Sequence, residues 1–499
     1  MWLIGIIAIL AVLYYFQDTI QKWLYCQKFR HIPGPPPDSF FNGHQLTLMA
    51  AKKANKFLDC FLTWREMYGD TFQFRIKTRP VIFTVDPEVL KLISQDVVSF
   101  TKVDHLPNRA LFGQRITGTY SILTGGGQEW AIKRRIMSSF FAKQNMKVVF
   151  DKLTPLMSRL LETKLKPRAG AGNVLDIHEM FTIIFSALPG VLGMECAMGV
   201  DSPEEIGRRI NIFLDVIPSQ LGNLKKIFGA HVSKKKQETI DMVIEMRMMG
   251  KQMVDEKRKD MECWDKNPDD DLLAWLISAN DAAGLGDEEI IDDIMTVYLV
   301  MDNMSKQLGS LFIYLINYKD VFDKMVTELR DNPITDYKSL NKLKYTEMVL
   351  LESLRLAPVL LRGTRWLNKS IQAGKYWIPG DCQFQYSQYV LHRIEEYWPN
   401  PREFIPERFE KGIPNVESFT FFPFLAGPRA CLGKHVAMIA MKMTLSMLAI
   451  NYDLTPVPTD VVPVIVQTMA VTRLKGGPMY KFDPRYKVKE QTPQVENEY

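Results

Sequence analysis

A chain of 499 residues with 46% hydrophobic and 24% charged content has the composition of a packed globular body. At roughly 150 residues per domain the length would allow three units, but no linker, repeat or low-complexity tract divides it, so one large catalytic domain is expected. The formal net charge of +5 comes without a dense Lys/Arg tract, which sets nucleic-acid binding aside. Six scattered cysteines with no C-x-x-C pair give no disulfide framework and suit a reducing compartment.

Residues 2–16 form an uncharged apolar run, followed by Lys22, Lys28 and Arg30. The run needs the next turn to approach the roughly 20 residues of a membrane span. No basic residue precedes it, and Tyr14-Tyr15-Phe16-Gln17 offers no small-residue cleavage site, which argues against a removed leader. Cations on its C-terminal side place the body in the cytosol by the positive-inside rule. Residues 1–21 are therefore read as an N-terminal membrane anchor, with an interfacial amphipathic segment as the rival reading. Residues 22–38 are basic and proline-rich; Pro33 to Pro37 stiffen them into a hinge arm.

Residues 72–76 and 81–85 predict a strand pair and 87–95 a helix. Residues 100–128, with Gly125-Gly126-Gly127, read as a long loop of the kind that binds ligands. A helix then opens at Trp130. Trp130 and Arg134 share one face, presenting an indole N–H and a guanidinium to one anion, unless this is simply a solvated basic face. Lys133 and Arg135 are candidates for contact with an electron donor's acidic surface.

From 150 to 271 the pattern is mostly helical, amphipathic at 153–165 and 240–257. Residues 210–217 and 224–228 are apolar enough for core helices or for a lipid-facing lid. A long helix is predicted from Asp287 to Tyr318. Glu352-Ser-Leu-Arg355 puts a carboxylate and a guanidinium side by side on a helix, but the same E-x-x-R string recurs at Glu205 to Arg208. Pro406-Glu407-Arg408-Phe409 lies downstream. A strand-rich section starts near Arg362, with 376–380 as a turn; 464–471 reads as a strand and 483–499 as a polar tail.

Phe424-Leu-Ala-Gly427-Pro-Arg429-Ala-Cys431-Leu-Gly433 precedes a long apolar run. Glycines let a backbone pass close to a flat ligand, and a cysteine at the mouth of a helix gains thiolate character. A buried structural cysteine is the plain alternative; a haem iron held by one thiolate also fits.

This F-x-x-G-x-R-x-C-x-G string closely resembles the haem-binding loop of the cytochrome P450 family. With E-x-x-R, Pro-Glu-Arg-Phe, W-x-x-x-R, the proline hinge and the anchor in family order, the resemblance spans nearly the whole chain. It implies a mostly α fold with a smaller β portion (α+β) enclosing haem b, with the catalytic domain at 39–482. Cys431 would be the axial thiolate; Arg429, Trp130, Arg134 and Arg365 would reach the propionates. Phe424 would pack beside the sulfur of Cys431, which Gly427 and Gly433 bracket in the loop. Glu352, Arg355 and Arg408 would form a charged cluster behind the haem, and residues 357–363 and 468–470 would line the pocket. NADPH would supply electrons through a reductase, on the endoplasmic reticulum membrane.

Family members carry small-Gly-x-acid-Thr where the long helix crosses the haem, relaying the protons that oxygen activation consumes. The matching positions here are Val300-Met301-Asp302-Asn303-Met304. Met301 fills the gap that glycine leaves, Asn303 cannot ionise and Met304 has no hydroxyl. A one-residue shift, supplied by a π-bulge, would make Asp302 the acid and Asn303 the alcohol; Ser305 is another stand-in. Residues 31–36, 111–114 and 419–424 are similar to the cholesterol 24-hydroxylase group, which suggests a sterol or other lipophilic substrate. The expected function is monooxygenation; lipid-peroxide rearrangement without a reductase, and haem binding without turnover, are the alternatives.

Overall fold

Phe72, Phe74 and Ile76 alternate with polar residues along Thr71–Ile76 (β1), whereas Arg79–Thr84 (β2) is buried continuously after Arg79; the two strands pair antiparallel. They belong to a five-stranded sheet of order β1-β2-β8-β5-β3, with Phe100–Thr101 as β3, Gly363–Leu367 as β5 and Cys382–Tyr386 as β8. Only the β2–β8 pair in it is parallel. Val174–Asp176 (β4), Tyr452–Pro456 (β9) and Met479–Pro484 (β12) form a second sheet. Hairpins pair Ile371–Ala373 (β6) with Tyr376–Ile378 (β7), and Val464–Val466 (β10) with Arg473–Lys475 (β11). The expected turn at 376–380 is thus corrected: Gly374, with φ +56, makes the turn, and Tyr376-Trp-Ile extends because aromatic and branched side chains favour strands.

A computed structural model describes residues 14, 16–17, 20–21, 23–102, 121–169, 172–194, 234–263, 271–413, 419–458, 464–466 and 472–485. Most of the apolar run at 2–16, the similarity at 111–114, the segments 205–208, 210–217 and 224–228, the turn at 468–470 and the tail beyond 485 lie outside them. Among the described residues no helix is long and apolar enough to cross a membrane.

The helices are α1 (Gln45–Lys53), α2 (Phe57–Tyr68), α3 (Pro87–Gln95), α4 (Gly127–Phe140), α5 (Met146–Leu160), α6 (Ile177–Ser186), α7 (Lys234–Cys263), α8 (Leu272–Ala283), α9 (Asp287–Leu315), α10 (Lys319–Asp331), α11 (Lys344–Leu356) and α12 (Lys434–Asn451). The fold is mostly helical with a smaller β portion, as expected. Helix α3 matches its predicted bounds because Asp86 caps it, accepting from the Glu88 and Val89 N–H groups with Pro87 at the first position. Three acids, Asp287, Glu288 and Glu289, open α9, where they complement its dipole. That helix is buried on most sides and forms the centre of the larger apolar core.

The arm expected to act as a hinge is docked on the body. Phe29 and Ile32 are buried in the core under the five-stranded sheet, and the Gln73 N–H donates to Pro33 O at 2.8 Å. A side chain at Gly34 would overlap the Gln73 carbonyl, so only glycine fits this crossing. At the other end Asp483 and Pro484 pair with β9, so the ordered sheet runs into the stretch expected to be tail.

Candidate functional site

The cysteine loop is held from both sides. The Cys431 N–H donates to Phe424 O at 2.8 Å, and Gly427-Pro-Arg429 makes a tight helical turn between them. Gly427 has φ +67, and a Cβ there would overlap the Ser94 carbonyl at the end of α3. The loop therefore sits against α3 in a way that no other residue permits. Leu425 also takes a left-handed φ of +59, a conformation that costs a non-glycine residue stability. Gly433 caps α12, and a Cβ there would meet nothing within 4 Å.

Cys431 is a free thiol with exposed surface, yet burial is the leading influence on it and pushes the thiol up. The two facts agree if the side chain lines a hollow inside the body instead of its outer face. Opposing that burial are the Gly433 N–H, Arg134 and Lys434, each favouring the thiolate. Phe424 is half-buried beside the loop, with Lys434 Nζ 6.0 Å from its ring centre.

Cations converge near the same loop. Burial, then Arg365 and Arg134, pulls Arg429 down to about 9. Burial lowers Arg134, with Cys431 opposing. Lys102 is driven well down by burial, then by Arg365, Arg429 and Arg134. The Arg429 guanidinium lies 3.5 Å over the Trp130 ring and donates to Gly125 O at 2.8 Å; its Nη1 is buried without a protein partner. Arg365 donates to Thr364 O at 2.8 Å and Lys102 to Leu123 O at 2.9 Å. Among the described residues no carboxylate is ion-paired with any of these four cations. Like charges so gathered repel unless an anion joins them. A flat dianion carrying a thiolate-loving metal matches this donor set, so the residues fit a haem.

Trp130 is buried, and its indole N–H is engaged by Ile122 O at 3.2 Å, so it meets Arg429 through its ring face. Lys133 requires correction: it does not face an electron donor but is buried, paired with Asp293 at 3.0 Å. Helical periodicity turns it inward while Arg135 stays exposed. Lys102 was not singled out in the sequence, since one lysine after a strand carries no signal before its burial is known.

The α9 helix separates the proposed relay residues. Asp293 receives the Ile122 N–H at 2.8 Å, and Gln307 donates to Ser353 Oγ of α11 at 2.7 Å. Val300, Asn303 and Met304 share a face with them, all five within roughly 100° of arc; Val300 is exposed and Asn303 half-buried. Asp302 and Ser305 point the other way, toward α6. Ser305 donates to Asp302 Oδ1 at 2.6 Å, and Lys306 Nζ stands 2.5 Å from Oδ2, off the hydrogen-bonding axis. His178 of α6 contacts Ser305 O at 3.2 Å, where Gly309 lets its ring approach. The helix is regular throughout, so no π-bulge carries Asp302 to the face of Asn303.

Glu352 and Arg355 are fully buried, joined at 2.7 and 2.8 Å, with Arg408 Nε 3.4 Å from Glu352. Arg355 also donates to the carbonyls of His392, Pro401 and Glu403, pinning α11 to the 392–408 segment. A cleft of about 550 Å³ between α5, α7 and α8, bordered by Arg159, Met253, Lys257 and Asp271, takes no residue from the cysteine loop. Its Lys257 and Asp271 satisfy each other at 2.6 Å.

A family model described as Cytochrome P450 matches residues 33–482. Cytochrome P450 3A28 of Bos taurus is 25% identical, covering 96% of this chain and 95% of its own. Cytochrome P450 3A5 of Homo sapiens is 24% identical over 97% and 96%, and Cytochrome P450 4d2 of Drosophila melanogaster 22% identical over 91% and 95%.

Proposed function

The chain belongs to the cytochrome P450 family, and on that premise we propose that it is a monooxygenase for a lipophilic, sterol-class substrate, with Cys431 as the thiolate that would hold the haem iron. As a member it is a haem-dependent oxidoreductase that binds haem b and takes electrons from NADPH through a reductase. When bound, the haem supplies the dioxygen and one-electron chemistry, which a thiolate ligand promotes. The observation that carries the reading is the free Cys431 thiol among Arg429, Arg134, Arg365 and Lys102, cations with no carboxylate partner among the described residues.

In this reading the cations hold the propionates and Trp130 braces Arg429. Phe424, Gly427 and Gly433 shape the sulfur's surroundings, and Glu352, Arg355 and Arg408 keep the scaffold rigid behind them. Asn303 is the polar side chain offered to the pocket by the middle of α9, and the usual acid is replaced; Asp302 and Ser305 serve the α6 contact. The body is held to the endoplasmic reticulum membrane by residues 1–21 through the docked arm 22–38, with the polar stretch after Arg485 as a tail. Exposed Phe40, Phe41, Leu46 and Met49 beside the arm support a lipid-facing side. The sterol class rests on the local similarity to cholesterol 24-hydroxylases.

One observation favours a second reading: the face of α9 that carries Val300, Asn303 and Met304 has no acid or hydroxyl at these positions, as suits rearrangement of a lipid peroxide, which needs no delivered proton. The test is twofold. The reduced protein with carbon monoxide should give the thiolate-type Soret band, and Cys431→Ala should lose it. With reductase, NADPH and dioxygen should be consumed with an oxygenated sterol as product. Lipid-hydroperoxide turnover without reductase, and no NADPH-linked product, selects the second reading.

A further inference from the structure

Helix α4 sends Lys133 into the protein interior, where its ammonium and the Asp293 carboxylate of α9 are 4% and 1% exposed. Burying two charges costs stability unless every lone pair and proton finds a partner, and here the partners are unusually complete. Asp293 Oδ2 takes Lys133 Nζ at 3.0 Å, and Oδ1 takes the Ile122 N–H at 2.8 Å. Lys133 also donates to Glu289 O at 2.9 Å. The neighbouring acid, Asp292, is neutralised from another direction by Arg247 of α7 at 2.7 Å.

The contacts do not end at Ile122. Its carbonyl accepts the Trp130 indole N–H, Trp130 lies under Arg429, and Arg429 donates back to Gly125, three residues beyond Ile122. One short segment is therefore gripped by the α9 carboxylate at 122 and by the cysteine loop's arginine at 125. Arg429 stands two residues before Cys431, and its buried Nη1 has no protein partner.

We propose that the Lys133–Asp293 pair is a positioning latch: it registers the 121–125 segment and Trp130 on α9, and so aims the Arg429 guanidinium at the anionic edge of the haem. The latch rests on the haem-thiolate reading of the cysteine loop. Neither residue touches the haem; both act through Ile122 and Trp130. The pair also ties α9 to the segment that Arg429 grips, so that loosening the latch weakens the hold on the ligand without altering the sulfur.

The test is the rate at which purified holoprotein gives up haem to excess apomyoglobin, with the reduced carbon monoxide spectrum recorded alongside. Asp293→Asn should release haem about tenfold faster, the effect of weakening one buried charge-assisted contact, and should keep the thiolate-type band. Trp130→Phe keeps the ring under Arg429 and removes only the bond to Ile122; it should also release haem faster. The double variant should exceed the larger single effect by little, because both changes break one chain of contacts. If Asp293→Asn does not accumulate, the charge-free pair Lys133→Met with Asp293→Asn leaves no buried charge unpaired and should show the same faster release. Parental release from these variants, or effects that multiply with that of Trp130→Phe, overturns the latch alone. A parent protein without the thiolate-type band overturns the underlying reading and the latch with it.

Discussion

Replacing Glu352 with glutamine changes one heavy atom and almost no volume, at the most buried ion pair among the described residues. Glu352 Oε1 takes Arg355 Nη2 at 2.7 Å and the Ile405 N–H at 2.9 Å, while Oε2 takes Arg355 Nε at 2.8 Å. The amide oxygen must stay at the Oε1 position, where it has more donors to satisfy. The new NH2 then faces Arg355 Nε, donor against donor. One charge-assisted bond is lost, about 1.5–3 kcal/mol, and the guanidinium keeps the amide oxygen and the carbonyls of His392, Pro401 and Glu403 but has no counter-charge. Breaking a buried pair in this way costs roughly 3–5 kcal/mol; the retained carbonyls put the expected loss near the lower end, about 3 kcal/mol. Urea unfolding followed by tryptophan fluorescence measures it, with haem content determined separately. A variant within about 0.5 kcal/mol of the parent, the range of an ordinary surface change, would refute the claim that this cluster locks α11 to the 392–408 segment.

Gly427→Ala should lose the thiolate-type carbon monoxide complex, because a left-handed φ costs a side chain about 1–2 kcal/mol before its Cβ meets the Ser94 carbonyl; an unchanged spectrum would show that the turn can move off α3. Asp302→Asn should weaken the fold by roughly 3 kcal/mol, leaving Lys306 without its charge partner, with NADPH still coupled to product. Asn303→Ala should change coupling while urea stability stays near the parent, and the reverse pattern would restore Asp302 to the relay. Burial raises Asp293 to about 6 despite Lys133, so the folded state holds a proton that the unfolded chain releases near 3.8. The stabilisation from this group is fully present below that ordinary value and is lost as pH rises through 6. Subtracting the urea stability of Asp293→Asn from that of the parent between pH 4 and 7 should therefore give a difference that declines toward pH 6 and levels off above it.

Much of the scaffold was legible because its signals are local. Asp86-Pro87 starts a helix by capping chemistry, the alternation at 72–76 and the β-branched and aromatic run at 81–85 announce strands, and the spacing from Phe424 to Gly433 leaves few other uses for its glycines. The i,i+3 pair at Glu352 became meaningful only with Arg408. What stayed hidden depends on the direction in which helices present their faces. Lys133 and Arg135 look equivalent in the sequence, and only the packing of α4 against α9 buries one and exposes the other. Asp302 next to Asn303 suggested a displaced acid–alcohol pair, but a regular helix sends neighbouring side chains about 100° apart, and α6 claimed the acid. Lys102 gave no warning at all, since its role depends on three arginines distant in the chain.

The seating of Phe29 and Ile32 beneath the five-stranded sheet bears on how the protein is handled. Each such side chain contributes about 1.5–3 kcal/mol when buried, so a recombinant version trimmed to begin at Pro33 would expose two greasy sockets and invite aggregation. Cuts intended to improve solubility belong ahead of Trp23, whose ring sits 5.9 Å from that of Phe40. With the arm seated, any tilt imposed on the N-terminal segment is passed rigidly to the sheet instead of being absorbed by a flexible tether.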